Sequence, residues 1–393
     1  MACSAPGETV QSSAVSSSRS ILVIISLLIF TPILARSFPT IDEEPGVAID
    51  PAIMRSISEA ALELLKENTG RNRERLHADA LPGTPGSGVL FNWNFLPGKR
   101  PGLRIDQMNY PQQIRSQQLV RSTLSSSGYL KWNAIVALED VLRELSTWDN
   151  SPPDPSRTPG QYSFAIVGDP AGSNPWGWRV EGHHISLRFL FHGNRLLSST
   201  PAFLGAAPTI ASTGPNVGIE VLRPEETLAL DLAHSLHGNQ KELGLRSEGL
   251  PRDIRHGPGR SVTVKPEGIR RDQLDPQQRA LLDRLIDVHL GLMQPSLMNS
   301  ERERIDQSNP DSIRFCWWGP IDRSKRHYYR IHGPTMLIEL VRITPDPVTS
   351  PTANLRNPDL ARFPGHVHIV RRDPARDLDV SPLREHLEKA HKE

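Results

Sequence analysis

Strand-forming sequence in this chain arrives in two separate blocks, and that arrangement constrains the fold more than any other feature. The first block holds QYSFAIVGDP (161–170), WRVEGHHISLRFLF (178–191) and RLLSSTPAF (195–203). The second holds SIRFCWWG (312–319), HYYRIHG (327–333), TMLIELVRI (335–343) and HVHIVRR (366–372). These runs are rich in β-branched and aromatic residues and are bounded by turn formers. In ISLRFLF, alternation sets Ile185, Leu187, Phe189 and Phe191 on one face, the pattern of a half-buried strand. HGNR (192–195) supplies a hairpin turn.

Helical patterns fill the intervals. Residues 50–68 start with Asp50 as N-cap and Pro51 at the first helical position. Further helices are expected at about 111–124, 129–145 and 224–236. The clearest is 276–290, with Asp275 as cap, Gln278 completing a capping box and Leu281, Leu285, Val288 and Leu292 forming an apolar stripe. The pieces DQMNYPQQ (106–113) and DQLDPQQ (272–278) echo one another, which reads as one helix-start chemistry used twice rather than as a repeat. Strands in two blocks separated by helices predict an α+β fold with a mainly antiparallel sheet and helices packed on one face. A split into two domains near residue 215 is the alternative. The proline-studded stretch 344–364 is long enough for a lid or a tolerated insertion.

The N-terminal end carries the strongest local signal. Arg19 precedes the apolar run Ile21–Leu34, and Glu8 is the only acidic residue before Ile41. The run is short for a bilayer span, which takes about 20 apolar residues. It fits a signal peptide over residues 1–37, with Ala35 and Ser37 as small residues near the cleavage point. The chain is therefore expected to be exported, periplasmic or extracellular, unless residues 21–34 stay as a membrane anchor. A flexible lead-in (38–49), one domain (50–380) and a polar tail (381–393) follow.

Composition excludes several partners. With 45 basic and 44 acidic residues the net charge is +1, so no basic field steers nucleic acid. There are two cysteines; Cys3 leaves with the presequence, and Cys316 in FCWWG reads as a buried structural thiol. Neither a disulfide nor a cysteine zinc site is then available. There is no phosphate-binding glycine loop, no G-x-S-x-G elbow and no H-E-x-x-H helix.

Histidines carry the candidate chemistry. On a strand, EGHHI (181–185) sets Glu181 and His183 on one side and His184 on the other. HVHI (366–369) sets His366 and His368 on a shared face, about 7 Å apart along the strand. Neighbouring strands would join Glu181, His183, His366 and His368 into a site for one divalent ion: Zn, Fe, Mn or Cu. A metal-free polar active site and merely structural histidines are the other readings. His184, Arg179 and His332 are candidates for catalytic roles, with Arg179 able to hold a carboxylate or phosphate. Asp373 and Asp169 would orient these groups from behind. Trp176, Trp178 and Tyr328 would wall a small-molecule ligand, or else pack the sheet.

Taken together, LEDVLREL (138–145), GDPAGSNPWGWR (168–179), VEGHHISL (180–187), STPAFLGAAP (199–208), HYYRIHGPTMLIE (327–339) and HVHIVRRDPARD (366–377) resemble the bacterial domain-of-unknown-function 3500 family. The resemblance covers about residues 50–380 and implies one continuous domain. Family positions matched here are Trp176, Trp178, Glu181, His183, His184, His327, His332, His366, His368 and Asp373. After Glu339 this chain departs: relatives continue with an acidic, amide-rich stretch into Asn-His-x-His, whereas here LVRITPDPVT and a long insert precede Gly365. His332 stands where relatives carry glutamine. The reading that follows is an exported enzyme, hydrolase or oxidoreductase, with a metal- or histidine-based site on the sheet. The rival is a non-catalytic binding module that uses the aromatic loop.

Overall fold

A computed structural model describes residues 48–78, 90, 92–146, 152–153, 155–211, 216–259, 262–343 and 365–377. The expected signal peptide, the lead-in up to residue 47, the loop 344–364 and the tail 381–393 lie outside these. Ile49, by contrast, is fully buried and donates its N–H to Asn194 O at 2.7 Å, so the end of the expected lead-in packs against the domain.

The described residues form eight α-helices and thirteen strands. Helix α1 (Pro51–Glu67) is capped by the Asp50 side chain, as its sequence predicts. There follow α2 (Gly70–Leu76), β1 (His77–Ala78), β2 (Leu103–Arg104), α3 (Tyr110–Thr123) and α4 (Ser126–Ser146). Then come β3 (Ser163–Val167), β4 (Trp176–Gly182), β5 (Ile185–His192), β6 (Arg195–Ser198) and β7 (Ala202–Ala206). The second part runs α5 (Arg223–Ser235), α6 (Asn239–Gly244), β8 (Leu245–Arg246), β9 (Ile269–Arg270), α7 (Pro276–Leu290) and α8 (Pro295–Gln307). It closes with β10 (Arg314–Trp318), β11 (His327–Gly333), β12 (Met336–Arg342) and β13 (Val367–Arg372).

All thirteen strands join one sheet in the order β1-β3-β4-β5-β7-β13-β12-β11-β10-β8, with β2, β6 and β9 on side branches. The α+β expectation with a mainly antiparallel sheet is met, in one domain. Only β1 with β3 and β8 with β10 pair in parallel. One sheet face carries Trp178, Val180, Leu187, Ile338 and Leu340 into a core shared with the helices. The other face carries a smaller cluster of Trp93, Phe95, Phe203, Trp318, Tyr328 and Val370.

The order reads alike from both ends because the chain is an internal repeat. In each half two helices lead to a two-residue parallel edge strand, a one-turn helix, a capped helix pair and a three-stranded meander. Gly102 and Gly268 both have left-handed φ, +112° and +109°. A Cβ there would collide with Phe164 O at 2.4 Å and Phe315 O at 2.3 Å respectively. Gly168 and Gly319 each donate to the edge strand, to Ala78 O and Arg246 O. Asn109 with Gln112, and Asp275 with Gln278, make the two capping boxes. The echo between 106–113 and 272–278 is therefore the visible remnant of a duplicated fold, contrary to the reading above. Strands β7 and β13, antiparallel neighbours at the centre, join the halves about an approximate two-fold axis.

One element was misread. Residues 178–191 are not a single strand: Gly182 pairs with Ile185, so His183 and His184 form the tip of a tight hairpin. The run 195–203 likewise divides into β6 and β7.

Candidate metal centre

The hairpin tip decides which histidines meet. His184 adopts φ +62°, the left-handed region that costs a residue with a Cβ about 1–2 kcal/mol. The conformation is pinned on both sides: His184 N donates to Phe95 O (3.1 Å), and Gly205 N donates to His184 O (2.7 Å). The ring is thereby turned toward the central strands, where β13 brings His368 and its preceding residue His366. His184 Nε2 lies 2.9 Å from His366 Nε2. Ring centroids of His184 and His368 are 5.3 Å apart, and those of His366 and His368 4.4 Å. One nitrogen from each of the three falls within 4.8 Å of the others.

Small size at the neighbouring strand makes room. A Cβ on Gly205 of β7 would stand 2.7 Å from His184 Cδ2 and 3.0 Å from His368 Cδ2. The His184 and His368 rings fit because β7 carries no side chain there.

His368 has the surroundings that a metal ligand would need. Its Nδ1 lies 2.8 Å from Asp253 Oδ1, and a carboxylate only accepts, so Nδ1 bears the proton. In the neutral ring Nε2 then offers a lone pair, and it is buried without a hydrogen-bond partner. A carboxylate behind an imidazole is the usual support of a metal-binding histidine. Burial alone would raise the Asp253 carboxyl, but the His368 hydrogen bond brings it below its ordinary range.

Burial, with neighbouring positive charge, favours the neutral form of the His184 and His366 rings. The His366 pKa is lowered to about 3, chiefly by desolvation and then by His368. His184 is pushed well below its usual value for the same first reason, with His183 next. Neutral imidazole is the form that coordinates.

A second group adjoins the first. His183 Nδ1 lies 2.5 Å from Glu139 Oε1, and its ring stacks on His184 at 3.7 Å between centroids. Glu139, His183 and His184 also bring ligand atoms within 4.8 Å of one another. Here a cation is already present: Arg157 Nη1 stands 2.9 and 3.0 Å from the two ring nitrogens of His183. That guanidinium, after burial, holds His183 down to about 2. The first group is the one with an open ligand.

The structure redistributes the expected roles. Glu181 is in neither group; it is 2% exposed and faces Arg100 Nε (3.0 Å), Arg188 Nη2 (3.2 Å) and Arg179 Nη1 (3.7 Å). It belongs to a buried ion cluster, because the strand alternation that would have aimed it with His183 stops at Gly182. Arg179 holds the segment covering the sheet, donating to Asn92 O and Pro101 O at 3.0 Å each, and does not face a ligand. His332 lies in the other half, where its Nε2 meets the backbone of Glu267 and burial lowers it to about 4. Asp373 sits buried with Arg304 in that half rather than behind His366 or His368. Asp169 is exposed and caps a turn through Ala171 N (2.9 Å). Trp176 and Trp178 are 3% and 0% exposed and pack on Phe191 and Phe189 under the helices, so they form no ligand wall. Tyr328 is fully buried against Trp318. Cys316 is buried and burial pushes its thiol up to about 12, in keeping with a structural role.

Three residues were missed. Glu139 lies on the inner stripe of α4 with Trp132 and Ile135, and a carboxylate at an apolar-stripe position is a signal the sequence does carry. Asp253 and Arg157 come from irregular segments with no periodicity to mark them.

Neither the curated proteins nor the solved structures contain a match to this chain. A family model described as "Protein of unknown function (DUF3500)" matches residues 50–379, which takes in both halves and all the histidines above. The chain belongs to that DUF3500 family.

Proposed function

We propose that this chain is an exported metal-dependent enzyme acting on a small molecule, with His184, His366 and His368 as ligands of one divalent ion. The observation that carries the reading is the buried Nε2 of His368, which has no hydrogen-bond partner while Asp253 occupies the opposite nitrogen. Three imidazoles without a carboxylate ligand match the donor set of hydrolytic zinc better than the two-histidine, one-carboxylate set of iron oxygenases. His366 is only half-buried, so the centre has an approach from solvent, which a catalytic ion needs and a structural one does not. An ion held there would act as a Lewis acid or lower the pKa of a water. Hydrolysis is therefore favoured over oxidation.

A metal-free imidazole pair is the second reading, favoured by one distance. The 2.9 Å between His184 Nε2 and His366 Nε2 is a hydrogen-bond length. Two nitrogens on one tetrahedral ion with bonds of about 2.0–2.1 Å stand roughly 3.3–3.4 Å apart, so binding requires a small spreading of these rings.

Elemental analysis of the purified protein decides between them. The metal reading expects one zinc-like ion per chain in the wild type and none in a His366→Ala/His368→Ala double variant. A metal-free wild type after zinc dialysis would refute it. The binding-module alternative loses its footing because the aromatic residues it relied on are packed inside.

A further inference from the structure

We infer that His256 and Glu339 position the ligand His368, by anchoring the strap of chain that holds Asp253 against it. The inference rests on the metal reading above and adds two positioning residues to its centre. Asp253 belongs to no helix or strand; it lies in the irregular stretch 247–259 that follows β8. Its Oδ1 faces His368 Nδ1 at 2.8 Å and also accepts from its own neighbour, Ile254 N, at 2.7 Å. The aim of the carboxylate therefore follows the path of the backbone.

That path is fixed two and three residues further on. Glu339 of β12 is fully buried and accepts at Oε2 from Arg255 N (2.8 Å) and His256 N (3.2 Å), while its Oε1 meets His256 Nδ1. Arg372 of β13 donates to His256 O at 2.7 Å and to Gly257 O at 3.3 Å. Between the two imidazole contacts, Ile254 enters the smaller apolar cluster and Arg255 lies over the Trp318 ring at 4.9 Å.

Sheet register makes the two ends interdependent. Val341 stands opposite His368 and Glu339 opposite Val370, so His368 and Glu339 are diagonal neighbours on one face, about 7–8 Å apart. Asp253 and His256 are three residues apart, a span of at most about 10–11 Å. The strap has little slack, and releasing its end at Glu339 takes the fixed aim from Asp253. The exchange is crosswise: the strap gives an acid to a sheet imidazole, and the sheet gives an acid to a strap imidazole. A ligand histidine that loses its carboxylate support holds metal about 10–100-fold more weakly.

The test measures zinc affinity of the full chain by competition with a chelator, beside urea unfolding of the metal-free protein. Wild type, Asp253→Ala, His256→Ala and the double variant are compared. Asp253→Ala should weaken zinc about 10–100-fold and His256→Ala roughly tenfold. The double variant should bind no more weakly than Asp253→Ala, because His256 acts through Asp253. His256→Gln, whose amide can still donate to Glu339, should recover most of the loss. A merely structural anchor would change the urea midpoint and leave zinc affinity alone. Wild-type zinc affinity in Asp253→Ala or His256→Ala, or single losses that simply add in the double variant, overturns the inference while the metal reading stands. A wild type that takes up no zinc overturns both. Should His256→Ala not fold, His256→Phe keeps a ring without the donor, and wild-type zinc affinity there overturns the inference.

Discussion

The two halves carry the same hairpin toward the middle of one sheet and finish it differently. In the first half β4 and β5 turn through His183–His184; in the second β11 and β12 turn through Pro334–Thr335. Thr335 is held by α8, with Ser308 Oγ 3.0 Å from its hydroxyl and Arg304 donating to its carbonyl at 3.3 Å. His184 instead turns into the histidine group. Counting back from the turns, Glu181 takes the place of His332, Arg179 that of Arg330, and Arg188 that of Glu339. Each half thus buries a carboxylate on the same sheet face, but at different positions and with different partners. The duplicated frame provides rigidity twice, and the candidate chemistry depends on one tip and on the strand β13 that adjoins it.

The buried carboxylates give the largest test of that contrast. Glu181 is surrounded by three arginines that cannot shed their charge, whereas Glu339 is paired with the single imidazole of His256 and accepts from the backbone N–H groups of Arg255 and His256. Urea unfolding should show Glu181→Ala destabilised by about 3–5 kcal/mol, and Glu339→Ala by clearly less. Equal costs would show that the two clusters are energetically interchangeable.

Next in size is Gly205→Ala. Its Cβ has no room beside His184 and His368, so a loss of about 1–3 kcal/mol is expected together with loss of bound zinc. Zinc retained at wild-type stoichiometry would mean that the rings are free to move aside, and the tight centre would be refuted.

The pH dependence sharpens the view of the second half. Burial lowers the His289 pKa to about 3, and its Nε2 bonds Tyr329 Oη at 2.7 Å. The unfolded ring takes a proton below about 6.5 while the folded one stays neutral. Its stabilising contribution is complete above that pH and is lost progressively as pH falls toward 3. Between pH 6 and 5 this group adds up to about 1.4 kcal/mol per unit to the slope of stability against pH. His289→Gln should remove that share, measured by urea unfolding at each pH.

The smallest stability effect should come from the turns themselves. Asparagine tolerates left-handed backbone, so His184→Asn is expected to change stability by less than about 1 kcal/mol while zinc content drops from one ion to none. Thr335→Asn should leave zinc at one ion. A site that survives His184→Asn would show that the hairpin tip does not distinguish the halves.

Much of the scaffold was legible because it is written in local terms. Asp50–Pro51 and Asp275–Pro276–Gln278 fix helix starts through adjacent backbone groups, and the alternation in Ile185–Phe191 fixes a strand face. The turn at His183–His184 was not legible, because neither of its two central residues is glycine or asparagine and the flanking residues continue a strand pattern. The repeat was half legible, since only its capping boxes kept similar letters while its strands kept only their pattern.

On its own, then, the sequence determined the α+β class, the capped helices, the strand blocks, the family and the importance of the histidines. It did so because capping, periodicity and motif order depend on neighbours along the chain. Only the tertiary structure decided that His184 rather than His183 joins His366 and His368, that Glu181 belongs to arginines, and that Asp253 supports His368. His184 and His366 lie 182 residues apart and Asp253 and His368 115, while Glu181 and Arg188 face each other across the left-handed turn. Their meeting is set by the pairing of β7 with β13 at the junction of two repeats.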